Sequence, residues 1–304
     1  MKNKLNVLIS GGSGFIGKSL TENLKNDFKV YSPKHKELDF LNSSSVTNYL
    51  INNNIDIVIH CAIEEGPNLL QNSILMFSNI IRNADNLKRI IFFGSGAEYS
   101  KNRNLNKIKE REIGKFIPTH ELGLSKLICT EMAKNRKNII NLRPFGIYGK
   151  YENYIQAFIS NSIAKSLLGL PITIYQDVVF DYLYIEDLFP VVRHLLKHKN
   201  YDFDYNITPD NSITLTNILA IINEISKYPI NTKIIKPGMN FSYTGDNHKI
   251  KKLIKDLKFT SYEKGVKEIY EYNLKNINSL NRNLLLQNAQ LTKIIDYEKS
   301  KKII

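Results

Sequence analysis

The strongest constraint on what this chain can fold into is a glycine-spaced turn near its start, Ser10-Gly11-Gly12-Ser13-Gly14-Phe15-Ile16-Gly17. An apolar run over residues 5–9 leads into it, and an amphipathic stretch over 15–26 leads out. Strand, turn and helix in that order make a βα unit whose turn is shaped for a pyrophosphate. Gly11 permits the tight exit from the strand, Gly14 lets the backbone approach the phosphates, and Gly17 lets the helix lie close on the sheet. The phosphates would then meet free N–H groups and the positive end of the helix dipole.

The rest of the first half repeats that alternation. Short apolar runs at 5–9, 28–32, 55–60, 89–94 and 138–143 lack a period of two, as strands buried on both faces do. Helical stretches lie between them near 15–26, 44–52, 69–83 and 119–135. The pattern predicts an α/β fold, a Rossmann doubly wound parallel sheet with a smaller C-terminal substrate-binding domain. The expected division is a dinucleotide-binding part over 1–150 with returns from the later chain, a substrate-binding part over 151–275, and a C-terminal helix or tail over 276–304. In the later chain, helices are expected near 154–168, 185–197, 215–226 and 261–273, with a strand at 172–175.

Composition narrows the class of function. The chain has 304 residues, 42% of them hydrophobic, enough for a real core. There is no apolar run of about eighteen residues and no signal-like start, so a cytoplasmic protein without a membrane span is expected. Cys61 and Cys129 make neither a disulfide framework nor a zinc ligand set, so no metal is expected. The net charge of +13 comes from lysines scattered along the chain, not from a basic run interleaved with aromatics. That pattern argues against a nucleic-acid partner and suits, weakly, an anionic small molecule.

An NAD-specific site usually offers an acid where the second strand ends. The run here is Tyr31-Ser32-Pro33-Lys34-His35-Lys36, without one. Lys34 could neutralise a 2′-phosphate, which favours NADP over NAD as cofactor. A solvated basic loop explains the same residues.

Glycines at 11, 14 and 17 resemble the G-x-x-G-x-x-G of the extended short-chain dehydrogenase/reductase family, the NAD-dependent epimerases and dehydratases of nucleotide sugars. The resemblance runs on through Val58-Ile59-His60-Cys61-Ala62, Asn72, Phe93-Gly94-Ser95-Gly96-Ala97-Glu98-Tyr99, Leu142-Arg143-Pro144-Phe145-Gly146-Ile147-Tyr148-Gly149, Tyr184-Ile185-Glu186-Asp187-Leu188 and Tyr205-Asn206-Ile207. It implies cofactor contacts from Gly11, Gly14, Phe15, Ile16, Gly17, Ala62 and Lys126. It makes Asp39 a candidate adenine contact and Asn72 a structural asparagine. Ser95 would hold the substrate oxygen, and Tyr148 and Phe180 would line the substrate. It also implies a nucleotide-sugar substrate, a role in surface polysaccharide precursor synthesis, and a homodimer paired through the helices near 69–83 and 119–135.

One position departs from the family. A Tyr and a Lys four apart on one helix face carry its proton chemistry, the lysine lowering the phenol's pKa. Here the segment reads His120-Glu121-Leu122-Gly123-Leu124-Ser125-Lys126, with the lysine present and Leu122 at the tyrosine position. Either another group supplies the proton (His120, Tyr99, Tyr148 or water), or the chain binds its ligands without turnover. A register slip is disfavoured, since no tyrosine lies between Tyr99 and Tyr148. The family's dehydratases carry an Asp-Glu pair after the serine, and some of its epimerases a Cys two positions on. Gly96 and Ala97 do neither job, leaving hydride chemistry at sugar C4, a 4-epimerase or a 4-keto-reductase. Phe180 replaces a frequent arginine; it could stack on a base or simply pack.

Overall fold

In the computed structural model, which describes residues 4–300, the expected sheet is present with six parallel strands. Their spatial order is Lys29–Tyr31, Asn6–Ser10, Ile57–His60, Arg89–Phe93, Ile139–Pro144 and Asp204–Ile207. Successive residues of each strand go to opposite faces. Val7, Ile9, Ile57, Ile59, Ile91, Phe93, Ile140 and Leu142 join one core cluster, and Leu8, Val58, Ile90, Phe92 and Ile139 the other. Helices Phe15–Leu24 and Ile185–Lys197 cover the first face. Helices Ser43–Asn52, Leu69–Ile81 and Glu121–Ala133 cover the second. Two covered faces explain why the strands read as unbroken apolar runs.

The strand order reverses between Asn6–Ser10 and Ile57–His60, so a crevice opens at their carboxyl ends, where folds of this kind bind ligands. The edge strand Asp204–Ile207 brings Tyr205-Asn206-Ile207 into the main sheet, where Tyr205 and Asn206 pair in register with Leu142 and Arg143. Traffic also runs the other way. Strand Leu105–Ile108 leaves the first half to join a small sheet with Tyr243–Gly245, Val179–Phe180 and Ile213–Thr214.

Helices Tyr262–Lys275, Phe158–Leu167 and Leu215–Ile225 pack on one another in the later part of the chain. The C-terminal segment docks rather than frays through helix Arg282–Leu286. Leu285 is fully buried against Ala164 and Leu170, and the Arg282 guanidinium donates to the Leu168 carbonyl at 2.9 Å. Among the described residues no helix is long and apolar enough to cross a membrane, and no group of His, Cys, Asp and Glu could hold a metal ion.

Candidate active site at the carboxyl edge of the sheet

The glycine turn takes the shape its sequence implies. Gly11 lies at φ +69°, and a side chain there would press on Ala62, its Cβ 2.8 Å from the Ala62 Cα and N. A Cβ on Gly17 would come within 2.2 Å of the Gly11 carbonyl oxygen, so the first helix lies directly on the turn. Gly14 caps that helix with no side-chain hydrogen bond, and the first turn carries no acid. The helix therefore presents uncapped N–H donors and an unopposed dipole, which is what a pyrophosphate needs. Phe15 and Ile16, half-buried, anchor the helix start to the core.

Ser10 ties the turn to the end of the third strand. Its hydroxyl oxygen accepts from the N–H groups of Cys61 and Ala62, both at 3.2 Å, and donates to Nδ1 of His60 at 2.8 Å. Nδ1 must accept, so the ring proton sits on Nε2. Burial, with the nearby Lys126 charge, pushes the His60 pKa down to about 3. Burial raises the Cys61 thiol far above the range of a nucleophile and the Cys129 thiol to about 12.

Beyond the second strand, Lys34 is exposed, and its backbone N–H donates to Glu37 at 2.7 Å. Asp39 accepts from the Leu41 N–H at 2.9 Å, holding its loop beside the sheet edge. Ser32, not Lys34, stands against the glycine turn, its Oγ filling the space a Cβ on Gly12 would need.

Ser95 begins a short 3₁₀ turn, Gly96–Tyr99, at the end of the fourth strand. Its Oγ accepts from the Ala97 N–H at 3.1 Å, while its own N–H donates to Glu98 at 2.9 Å, a reciprocal capping box. Glu98 also accepts from Nε of Arg143 and from the Thr130 hydroxyl, both at 2.8 Å. Arg143 reaches on to Asp204 at 2.6 Å. Burial opposes the guanidinium charge, but Glu98, Tyr99 and Asp204 outweigh it and hold the arginine protonated. Glu98 thus has a structural role under Ser95 and points away from the crevice.

Helix Glu121–Ala133 brings Lys126 to the same edge. Gly123 lets the helix touch the Ser95 turn, since a Cβ there would lie 2.5 Å from the Ala97 carbonyl oxygen. Lys126 is buried close enough to Glu98, Cys61 and Cys129 to interact with each, and burial lowers its pKa. Leu122, one turn before it, is half-buried. His120 caps the helix, Nδ1 accepting from the Leu122 N–H at 3.2 Å, which accounts for a polar residue there.

One expected contact lies elsewhere: Tyr148 sits in the core, packed on Tyr184, with its hydroxyl against Gly265. Asn72 donates to Glu64 at 3.2 Å, and on the same helix the buried Asn79 donates to the carbonyls of Phe40 and Leu41. Phe180 does face a cavity, a mostly apolar space of about 180 Å³ that Tyr243, Phe158, Lys101 and Ile294 also line. Tyr243, which no motif marks, reaches this cavity through the pairing of 243–245 with 105–108 and of Tyr243 with Phe180.

A parallel sheet with this switch point, an uncapped glycine turn, and a Ser–Lys pair beside it define a dinucleotide-binding oxidoreductase site of the Rossmann type. The chain belongs to the NAD dependent epimerase/dehydratase family, whose model matches residues 7–208, and its cofactor is accordingly a nicotinamide dinucleotide, NADP or NAD. It is 25% identical over 300 residues to a GDP-6-deoxy-D-talose 4-dehydrogenase from Aggregatibacter actinomycetemcomitans, covering 89% of this chain and 98% of that protein. It is 22% identical over 255 residues to a GDP-L-colitose synthase from Yersinia pseudotuberculosis, covering 74% and 83%. In fold it is similar to a GDP-mannoheptose C4 reductase from Campylobacter jejuni solved with NADP bound, with a TM-score of 0.78, 19% identity, and 90% and 99% of the two chains covered.

Proposed function

We propose that the protein is a nucleotide-sugar 4-keto-reductase or 4-epimerase, working by hydride transfer at sugar C4 in the synthesis of surface polysaccharide precursors. The observation that carries this reading is Ser95, a hydroxyl set by a capping box at the crevice, with Lys126 on the adjoining helix and no acid–base pair following it. A bound nicotinamide would supply or accept the hydride. Ser95 would hold the C4 oxygen, Lys126 the nicotinamide ribose, and the uncapped turn the pyrophosphate. Lys34 favours NADP, and a homodimer in the cytoplasm fits the family. Gly96 and Ala97 supply neither the acid and base of a dehydration nor a proton shuttle beside the carbonyl.

Leu122 favours a second reading, a protein that binds dinucleotide or nucleotide sugar without turnover. The two are separated by deuteride transfer from labelled NADPH and NADH to a panel of nucleotide 4-keto-sugars. Label in the product with the native protein establishes an enzyme. Label only with Leu122→Tyr leaves a binding protein whose chemistry has been lost.

A further inference from the structure

We propose that helix Ala289–Ser300 is a hinged lid over the apolar cavity lined by Phe180, and that this cavity takes an aromatic ring bearing an anionic group. The inference goes beyond the reductase reading and does not depend on it.

The C-terminal segment divides at Asn288 into an anchor and a lid. The anchor, helix Arg282–Leu286, is fixed from several directions. Leu285 is fully buried against Ala164 and Leu170, and Arg282 holds the Leu168 carbonyl at 2.9 Å. Just before it, the Tyr154 hydroxyl accepts from the Asn281 N–H at 3.0 Å and donates to the Ser279 carbonyl at 3.3 Å. The buried Lys165 ammonium donates to the side-chain oxygen of Asn288 and ends the anchor there. Asn288 itself lies at φ +50°, a left-handed conformation that asparagine tolerates better than most residues and that interrupts the helix.

Beyond Asn288 the attachment changes in kind. Leu291, Ile294 and Ile295 stand at i, i+3 and i+4, one stripe of the helix, and are half-buried, while Thr292 and Asp296 are exposed. Leu291 and Ile294 form part of the cavity wall. Thr292 bonds only back to the Asn288 carbonyl, and no other described side chain of this helix makes a hydrogen bond or ion pair with the rest of the protein. A helix seated by apolar contact and held at one end opens without breaking polar bonds, which places it among the least stable parts of a fold.

The cavity itself defines what the lid admits. Its volume is about 180 Å³, and an apolar cavity of roughly 150 Å³ holds one benzene ring. Phe158, Tyr175, Phe180, Phe241 and Tyr243 all line it, the Phe180 and Tyr243 rings 4.7 Å apart. Walls of this kind favour a flat ring, which stacks or meets them edge to face. Lys101, exposed and also lining the cavity, holds its ammonium 4.5 Å from the Tyr243 ring centroid, where it attracts an anionic group on the ring. Gln176, another lining residue, is only 8% exposed and donates through Nε2 to the Pro237 carbonyl at 3.2 Å. Its Oε1 has no partner among the described residues, an acceptor that a ring N–H satisfies.

The test compares the full chain with a chain ending at Asn288 and with Leu291→Asp combined with Ile294→Asp. Entry is read as the association rate of anilinonaphthalene sulfonate, an aromatic anion. The chain has no tryptophan, so Phe241→Trp, made separately in each form, places a single indole in the cavity wall for acrylamide quenching. A lid open about a tenth of the time slows entry about tenfold, so both altered chains should take up the dye about tenfold faster. Their indoles should also be quenched more readily. Urea denaturation checks each fold; if the shortened chain has lost its fold, the two-aspartate chain decides. Dye rates within about twofold of the full chain, with unchanged quenching, would overturn the lid. Dye binding to none of the three would overturn the site. Displacement of the dye by GDP, UDP or dTDP assigns the ring to a nucleotide, and displacement by indole-3-acetate alone to another aromatic anion; either upholds the site. Failure of deuteride transfer by the native protein would sink the reductase reading and leave this result standing.

Discussion

Glu98 and Arg143 form a fully buried ion pair at 2.8 Å, and the other oxygen of the same carboxylate accepts from the Ser95 N–H at 2.9 Å. The turn that carries Ser95 is thus built on a charge pair inside the protein. Removing one member of such a pair costs about 3–5 kcal/mol when the other charge is left buried alone, an upper bound here because Arg143 keeps Asp204 at 2.6 Å. Glu98→Ala should therefore destabilise the fold by up to that order in urea denaturation. Glu98→Gln, which keeps the shape, should lose less and retain more of the Ser95 geometry.

Ser95 itself can be tested without touching the cofactor end of the crevice. Ser95→Ala removes the proposed donor to the sugar oxygen and should lower deuteride transfer by about 10²–10³-fold. NADPH affinity should stay near native, because the pyrophosphate is held at the glycine turn. Equal losses of rate and NADPH binding would show instead that the turn had collapsed.

Gly11→Ala places a side chain at φ +69° and against the backbone of Ala62. The left-handed conformation alone costs about 1–2 kcal/mol for a residue with a Cβ. A lower melting temperature and NADPH binding weakened by about tenfold or more are expected by thermal denaturation and titration calorimetry.

Acid lability should trace in part to His60. Its pKa is about 3 in the folded protein, pushed down by burial and Lys126, against an ordinary 6.5 for histidine. Between those values the unfolded chain binds a proton that the native state does not. Stability due to this residue is thus complete above pH 6.5 and falls as the pH drops toward 3, by about 1.4 kcal/mol per pH unit. His60→Gln should flatten the pH dependence of urea stability between pH 6 and 4 by about one proton.

The proposed preference for NADP can be tested at Ser32 and Lys34. Lys34→Ala should reduce the preference for NADPH over NADH by up to about fivefold at low salt, the scale of one exposed charge contact. Ser32→Asp, beside Gly12, should move the preference further toward NADH. Competitive binding of the two reduced dinucleotides measures both.

Much of this protein was legible in one dimension. Five of the six sheet strands announce themselves as short apolar runs, because a strand covered on both faces has no polar side to interrupt it. The glycine turn is local chemistry, with Gly11, Gly14 and Gly17 all within seven residues of one another, so its backbone demands are written in consecutive positions. Ser95 and Lys126 were found the same way, each in its own short motif.

What the sequence withheld lies across long separations. Nothing local distinguishes Tyr148, packed on Tyr184 in the core, from Tyr243, which lines a cavity with Phe180; both are tyrosines in apolar surroundings. Glu98 and Arg143 stand 45 residues apart, and their bond exists because neighbouring strands put their ends side by side. By itself the sequence determined the sheet, the cofactor turn and the family, since each follows from period, glycine spacing and contiguous motifs. Tertiary structure alone decided that Tyr243 and Phe180 line one cavity, because their meeting depends on the parallel pairing of Tyr243 with Phe180 and of 243–245 with 105–108, a register no local pattern encodes.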